Sequence, residues 1–429
     1  MQTFTGYEYL MIDVANHYGL DKDLFENRIT WVLKNIDNLL NPDLLEDIKP
    51  KKLPGYLKAV QALHDAAAGK SLGHRVGFDA ICSGMQIMSA LTQCENGCKA
   101  TGLIDTGIRP NAYTEVGTAM SHHLEGSEIV IHPDDIKQAV MTTLYGSKAV
   151  PRRLFGCPHP EDPSTPELLA FYAALKDVAP GAVDLMDSLL SAWNPQAFHH
   201  TWALPDTHVS YVPVMVEREK RIRIEELNNS SLTYHWYENS NSDSGLSLVA
   251  NVTHSIDAYI LRSLIRRCTY NRENFIEFRG HIMDELIKRA MNKTESQEPT
   301  IEPINCMAKQ LKRKFMKTKM VDVLILDFIS VVDLSSLTTV HLEELLRVIK
   351  QCLVHAPFNI ICVHDEFTAH PNNLNYLRDH YRNILADLSQ SEILTDIFQQ
   401  ITGSTGQYEK QNTDKDIPSL IRQANYMLS

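Results

Sequence analysis

The amino-acid sequence predicts a helix-rich α+β fold. Long segments carry apolar residues at i, i+3, i+4 and i+7, the period of an amphipathic helix. Short strands are confined to 75–79, 209–225, 321–329 and 358–370, each bounded by turn or charged residues. A hydrophobic content of 44% over 429 residues is enough for two or three packed subdomains.

Charge and composition narrow the function classes. The formal charge of −12 excludes a nonspecific phosphate binder. Any nucleic-acid contact must use local basic patches or a partner's positive charge. The eight cysteines form no CxxC pair, and Cys94 and Cys98 have no matching second pair. They read as reduced thiols of a cytosolic protein, not a disulfide frame or zinc site. The sequence shows no secretory leader and no apolar run of membrane-spanning length, so no membrane role is expected.

Residues 1–70 read as three helices. In the second, LFENRITWVLKNIDNLL, the residues Phe25, Ile29, Val32, Ile36 and Leu40 form one stripe. The third, YLKAVQALHDAAAG, ends at Gly69. Arg75–Asp79 is a short strand that leads through a small-residue loop into an apolar helix from Met85. An aspartate at such a strand end serves as a metal ligand or as a helix cap. Cys82 has no His in a fitting local pattern and is not read as a nucleophile. NAYTEVGTAM is a helix, and the pair His122–His123 lacks a third metal ligand.

The stretch Asp135–Lys148, DIKQAVMTTLYGSK, reads as an amphipathic helix that stops at Gly146. Lys137, Met141 and Tyr145 recur at i, i+4 and i+8 and therefore share a face. Lys137 and Tyr145 stand roughly 12 Å apart along it. That span suits a triphosphate at one end and a sugar at the other. An ordinary core helix with a snorkelling lysine fits the same spacing.

Downstream, Arg152 and Arg153 suit template phosphate or plain surface. GCPHPEDPSTP is a loop, helices follow near 165–177 and 181–193, and 209–225 reads as a hairpin turning at EREKR. NSNSDSG at 239–245 is a loop, and 250–268 is a strong helix. Its Arg262, Arg266 and Arg267 are candidate contacts for a nucleic-acid backbone. Residues 270–355 contain a helix near 273–291, the loop KTESQEPTIEP and a basic run. That run (Lys309, Lys312, Arg313, Lys314, Lys317, Lys319) suits nucleic acid or a solvated helix face. VDVLILDFI reads as a buried strand, with Asp327 structural. FNIICVHDEFTAH at 358–370 is a strand, a tight polar turn and a second strand. Helices at 371–388 and 391–401, a polar loop at 402–416 and a last helix, SLIRQANYMLS, close the chain.

Four motifs, in this order, resemble those of the phage-type single-subunit DNA-directed RNA polymerases of phages and mitochondria. They are DxxCSGxQxxSA from Asp79, Lys137 with Tyr145-Gly146, N-x-x-H-S-x-D from Asn251, and His364-Asp365. HTWALPD and the segment GYEYLMIDVANHYGLDK with FENRITWVLKNIDNL resemble the same family. The resemblance implies a right-hand palm and fingers: 1–70 a helical segment packing on palm and partner, 71–100 palm, 101–250 fingers, and 251–429 palm with an insertion at 270–355. It implies template-directed nucleotidyl transfer by a two-magnesium mechanism, with Asp79, the Ala80 carbonyl and Asp365 holding the Mg2+ ions. It further implies that Lys137 grips phosphate and that Tyr145, beside Gly146, helps admit ribose. His254 would face the nascent base pair, and His364 would flank the RNA 3′ end. Glu366 adds an acid where the family is variable. Pro133 stands where the family usually has a phosphate-touching arginine.

As the resemblance aligns them, the match begins almost at Thr5. The upstream arginine motif, a second lysine, the thumb and the promoter-reading domain are then expected on a smaller subunit. The chain is most similar to the larger, catalytic subunit of the split RNA polymerases of podoviruses. The expected partners are that subunit, a DNA template, the RNA product and ribonucleoside triphosphates, in the cytoplasm of the infected bacterial host. Two alternatives are a DNA polymerase of the same palm-and-fingers type and a non-catalytic nucleic-acid-binding protein with a decayed polymerase fold.

Overall fold

The computed structural model describes residues 1–41, 43, 53–125, 131–157, 159, 161–240, 245–291, 302–411 and 414–429. Thr5 starts the first helix through a capping box: its hydroxyl accepts from the Glu8 amide, and Glu8 accepts from the Thr5 amide. That helix, α1 (Gly6–Ala15), buries Tyr9 through Val14. A π-helical turn at Asn16–Leu20 leads to α2 (Phe25–Asn35) and α3 (Leu53–Ala67). The expected stripe on α2 stops short. Leu40 is 53% exposed and Leu39 takes the core place at 1%. A 3-10 turn at Ile36–Asn38 tightens the winding and shifts the buried face by a residue.

Strand β1 (Val76–Asp79) buries Val76 and Phe78 and turns Gly77 and Asp79 to the other face. Seven helices follow among the described residues: α4 (Ser83–Thr92), α5 (Glu95–Ala100), α6 (Ala112–His123), α7 (Pro133–Thr143), α8 (Ala149–Leu154), α9 (Pro166–Val178) and α10 (Pro180–Ser191). Two antiparallel pairs come next. β2 (His199–Ala203) pairs with β3 (Val209–Pro213), and β4 (Val216–Ile224) with β5 (Ser230–Glu238). The single hairpin read over 209–225 is therefore replaced by two, and EREKR lies inside β4. No apolar alternation marks β4, because both of its faces meet solvent.

The chain continues through α11 (Leu246–Cys268), α12 (Arg272–Met291), α13 (Cys306–Thr318) and α14 (Thr339–Leu353). VDVLILDFI is not a strand. Asp322 accepts from the Leu324 amide at 2.9 Å and caps a 3-10 helix at Val323–Asp327. A short apolar run is shared by buried strands and buried helical turns, so periodicity could not separate them. Residues between Tyr270 and Cys352 form a second hydrophobic core of their own. The loops read at 239–245 and 293–303 lie largely outside the described residues, and those at 156–166 and 402–416 in part.

Last come β6 (Ile361–Val363), β7 (Glu366–Ala369), α15 (Leu374–Gln390), α16 (Ile393–Thr402) and α17 (Ile417–Ile421). β7 lies between β1 and β6 and runs antiparallel to both. Phe367 and Ala369 join Val76 and Phe78 on the buried face, where α1 and α15 pack against the sheet. α4 packs on α15 in turn: Tyr381 Oη donates to Gln86 Oε1 at 2.7 Å, and Gln86 Nε2 donates to the Thr101 and Met427 carbonyls. The segment SLIRQANYMLS is helical only to Ile421. Leu428 instead bridges Ala80, and the Ser429 amide donates to the Asp79 carbonyl at 3.1 Å. The Ser429 amide thus pairs across the fold and is not available to a helix. Among the described residues no helix is long and apolar enough to cross a membrane.

Candidate functional site

Two acids from opposite ends of the chain meet at one end of the three-stranded sheet. Asp79 is the register partner of Glu366, and the Ala80 amide donates to the Asp365 carbonyl at 3.2 Å. The turn that carries Asp365 reverses at His364, whose φ is +56°, the left-handed geometry of tight hairpin turns. The Glu366 carboxylate leans over Gly77, where an added Cβ would lie 2.4 Å from Oε1. Burial, then the negative charges of Asp365 and Glu366, push the Asp79 carboxyl up to about 6; Lys137 and Arg109 oppose that rise. All of these residues except His364 line one cavity of about 870 Å³, as does Ala80.

Lys137 reaches the cavity from α7, which Pro133 starts at its first turn. Its Nζ lies 5.7 Å from the centroid of the Tyr113 ring. Lys137 and Met141 keep the expected shared face and both line the cavity, but Tyr145 leaves it. The helix ends at Thr143, and Tyr145 sits in the turn closed by the Gly146 amide donating to the Thr143 carbonyl at 2.8 Å. Gly146 has φ +91°, and a Cβ there would meet the Leu246 carbonyl at 3.2 Å, so the position needs glycine on both counts. Leaving the helix swings Tyr145 inward, while Met141 stays 44% exposed.

Tyr145 stacks on His254, with ring centroids 4.5 Å apart and planes at 30°. Its hydroxyl is hydrogen-bonded to Ser83, and burial pushes the phenol up to about 12. Gly84 leaves it room, since a Cβ there would lie 3.1 Å from the hydroxyl. Burial lowers the His254 pKa, which favours the neutral ring. Tyr145 and His254 thus form an aromatic pair, and neither is among the residues lining the cavity.

Other expected contacts are turned to internal use. Arg152 donates to the His159 and Asp162 carbonyls at 2.8 and 2.7 Å, which holds the loop after α8. Arg262, Arg266 and Arg267 are each engaged by acids of the fold. Arg262 and Arg266 clamp the buried Asp206 at 2.6 and 3.2 Å, Arg266 also meets Asp322 at 2.6 Å, and Arg267 meets Asp387 at 3.3 Å. Trp202 Nε1 donates to Ser255 Oγ at 3.0 Å, so HTWALPD serves to tie its hairpin to α11. The basic run is split. Lys314 bonds Asp396 at 2.6 Å, and Lys312 is buried near Glu302 at 3.5 Å, while Arg313 and Lys317 face solvent.

Two further residues act on the site, and of these only Arg109 carried no sequence signal. Arg109 lines the cavity and its charge acts on Asp79, yet it comes from a loop without a motif. Asp257, in the HSxD string, is pushed up to about 6 by burial and the charge of Asp365. Its place beside His254 was the available clue.

The donors fit a hard divalent cation. Asp79, Asp365 and Glu366 offer carboxylate oxygens only, and the repulsion that raises Asp79 is what a bound cation relieves. Among the described residues no group of three or more His, Cys, Asp and Glu is arranged to hold a metal ion. Mg2+ characteristically uses one or two carboxylates and takes its other oxygens from water and substrate phosphates.

No family model matches the chain. The chain is 32% identical over 136 residues to a DNA-directed RNA polymerase of Pseudomonas phage phiKMV. That match covers 28% of this chain and 16% of the relative.

Proposed function

We propose that this chain is the catalytic part of a DNA-directed RNA polymerase, performing template-directed nucleotidyl transfer with Mg2+. Its palm would be the three-stranded sheet with its helices, and its fingers would carry α7. One observation carries this: Asp79 and Asp365, far apart in sequence, share the end of one sheet, with Lys137 on the same cavity. Partial similarity to a phage RNA polymerase supports it.

Asp79 and Asp365 would hold Mg2+, with the Ala80 carbonyl as a further oxygen donor. Two bound ions would supply the chemistry, one lowering the pKa of the RNA 3′-hydroxyl and the other stabilising the charge of the pyrophosphate leaving group. Lys137 offsets the charge that develops on the triphosphate as the bond to the α-phosphorus forms and the bond to pyrophosphate breaks. The Tyr145–His254 stack backs the nucleoside, and the Tyr145 hydroxyl can exchange Ser83 for a ribose hydroxyl. His364, at the hairpin tip, would contact the RNA 3′ end. The role the resemblance implies for Arg152 needs its guanidinium to leave the His159 and Asp162 carbonyls.

Primed-template extension tests the proposal, with ribo- and deoxyribonucleotides offered separately. It is run on the chain alone and with any smaller polypeptide that co-purifies, the expected second subunit. Ribonucleotide extension that is lost in Asp365→Asn, with template binding retained, is the expected result. Preferential use of deoxyribonucleotides would make the chain a DNA polymerase. Template binding without any extension would leave a decayed fold.

A further inference from the structure

Arg109 occupies the same cavity as Asp79, Asp365 and Lys137. It stands in the loop between α5 and α6, and that loop is fixed at both ends. Asp105 Oδ1 accepts from the Gly107 amide at 2.9 Å, and Asn425 Nδ2 donates to Asp105. Asn111 accepts from the Tyr113 and Thr114 amides and caps α6. The Arg109 side chain is therefore delivered from a rigid mount.

A guanidinium offers five N–H donors in a planar fork. Here Nε donates to Ser429 Oγ at 2.9 Å and Nη1 makes a 3.5 Å contact with the Pro110 carbonyl. Among the described residues Nη2 makes no hydrogen bond, and it is not sealed from solvent. The cavity is lined by six acids, among them Asp21, whose charge acts on Arg109, and Lys137 and Arg109 are the cations whose charges act on Asp79. Oligophosphates carry several negative charges, and arginine binds phosphate through two parallel N–H bonds where lysine acts as a point charge.

We propose that Arg109 is a second phosphate-binding residue of this site, taking an oligophosphate through its Nη2 edge. The ligand class is the triphosphate of an incoming nucleotide or the released pyrophosphate. This rests on the nucleotidyl-transfer function proposed above. The competing role is a clip: Arg109 holds Ser429, whose amide donates to the Asp79 carbonyl at 3.1 Å.

The test uses the full chain with Mg2+ and inorganic pyrophosphate, by calorimetry, together with the KM and kcat of extension. Arg109→Gln is expected to weaken pyrophosphate binding and raise the nucleotide KM by about tenfold or more, the loss of a charge-assisted hydrogen bond. kcat should change less. Arg109→Lys should recover part of the binding, and it carries the test if the glutamine variant unfolds. Ser429→Ala should stay within about twofold of wild type, since it removes only a neutral acceptor. A Ser429→Ala loss as large as that of Arg109→Gln makes Arg109 a clip and overturns the inference. So does unchanged pyrophosphate binding in Arg109→Gln when the wild type binds pyrophosphate and makes RNA. A wild type that does neither overturns the proposed function and this inference together.

Discussion

Asp79→Asn should stabilise the metal-free protein while ending its activity. The Asp79 carboxyl rises from 3.8 to about 6 on folding, through burial and the charges of Asp365 and Glu366. A shift of about 2 units is worth at most about 3 kcal/mol. The side chain opens onto the cavity and is exposed, so solvent screening reduces this to about 1 kcal/mol. The folded state binds this proton more tightly than the unfolded chain does. The contribution is therefore fully present below about pH 4 and is lost as pH rises through about 6. At about pH 8 the wild type carries the whole penalty, and Asp79→Asn removes it. Urea unfolding followed by circular dichroism should give the variant about 1 kcal/mol more stability at about pH 8, and little difference near pH 4. Added Mg2+ should reverse the order. A free concentration ten times the Kd adds about 1.4 kcal/mol to a protein that binds the ion and nothing to one that does not. A variant less stable than wild type at about pH 8 without metal, or a difference that ignores pH, would refute the crowding of the three acids.

Lys137→Gln should raise the nucleotide KM by about tenfold with the urea midpoint unchanged, because the lysine faces the cavity and not the core. Tyr145→Phe keeps the stack on His254 and loses the hydroxyl; ribose-over-deoxyribose preference should fall by about tenfold in a competition assay. Gly84→Ala puts a Cβ 3.1 Å from that hydroxyl and should lower the same preference, with stability within about 1 kcal/mol of wild type. Asp206→Ala leaves Arg262 and Arg266 without their shared carboxylate, so unfolding should come about 3–5 kcal/mol sooner. An unchanged urea midpoint there would mean the ion pairs contribute nothing.

The helices were legible because their signal is local. Thr5 and Glu8 make a cap over one turn, and the apolar period of α1, α9 and α15 needs no knowledge of what they pack against. The hairpin around His364-Asp365 was legible for the same reason, as a polar turn between two short apolar runs. Charged residues were not. Arg262, Arg266 and Lys314 look like surface cations in the sequence, and only the fold brings Asp206, Asp322 and Asp396 to them. β4 was hidden because a ribbon exposed on both faces has no hydrophobic rhythm.

The sequence by itself determined most of the helices and the hairpin at His364-Asp365, the residue types available for chemistry and their order along the chain. Only the tertiary structure decided that Asp79 and Asp365 share one sheet end, that Tyr145 leaves its helix to stack on His254, and that Arg109 joins them. The reason is physical. Propensity and periodicity act over a few residues, whereas strand pairing, charge crowding and cavity formation act between groups that the chain separates by hundreds.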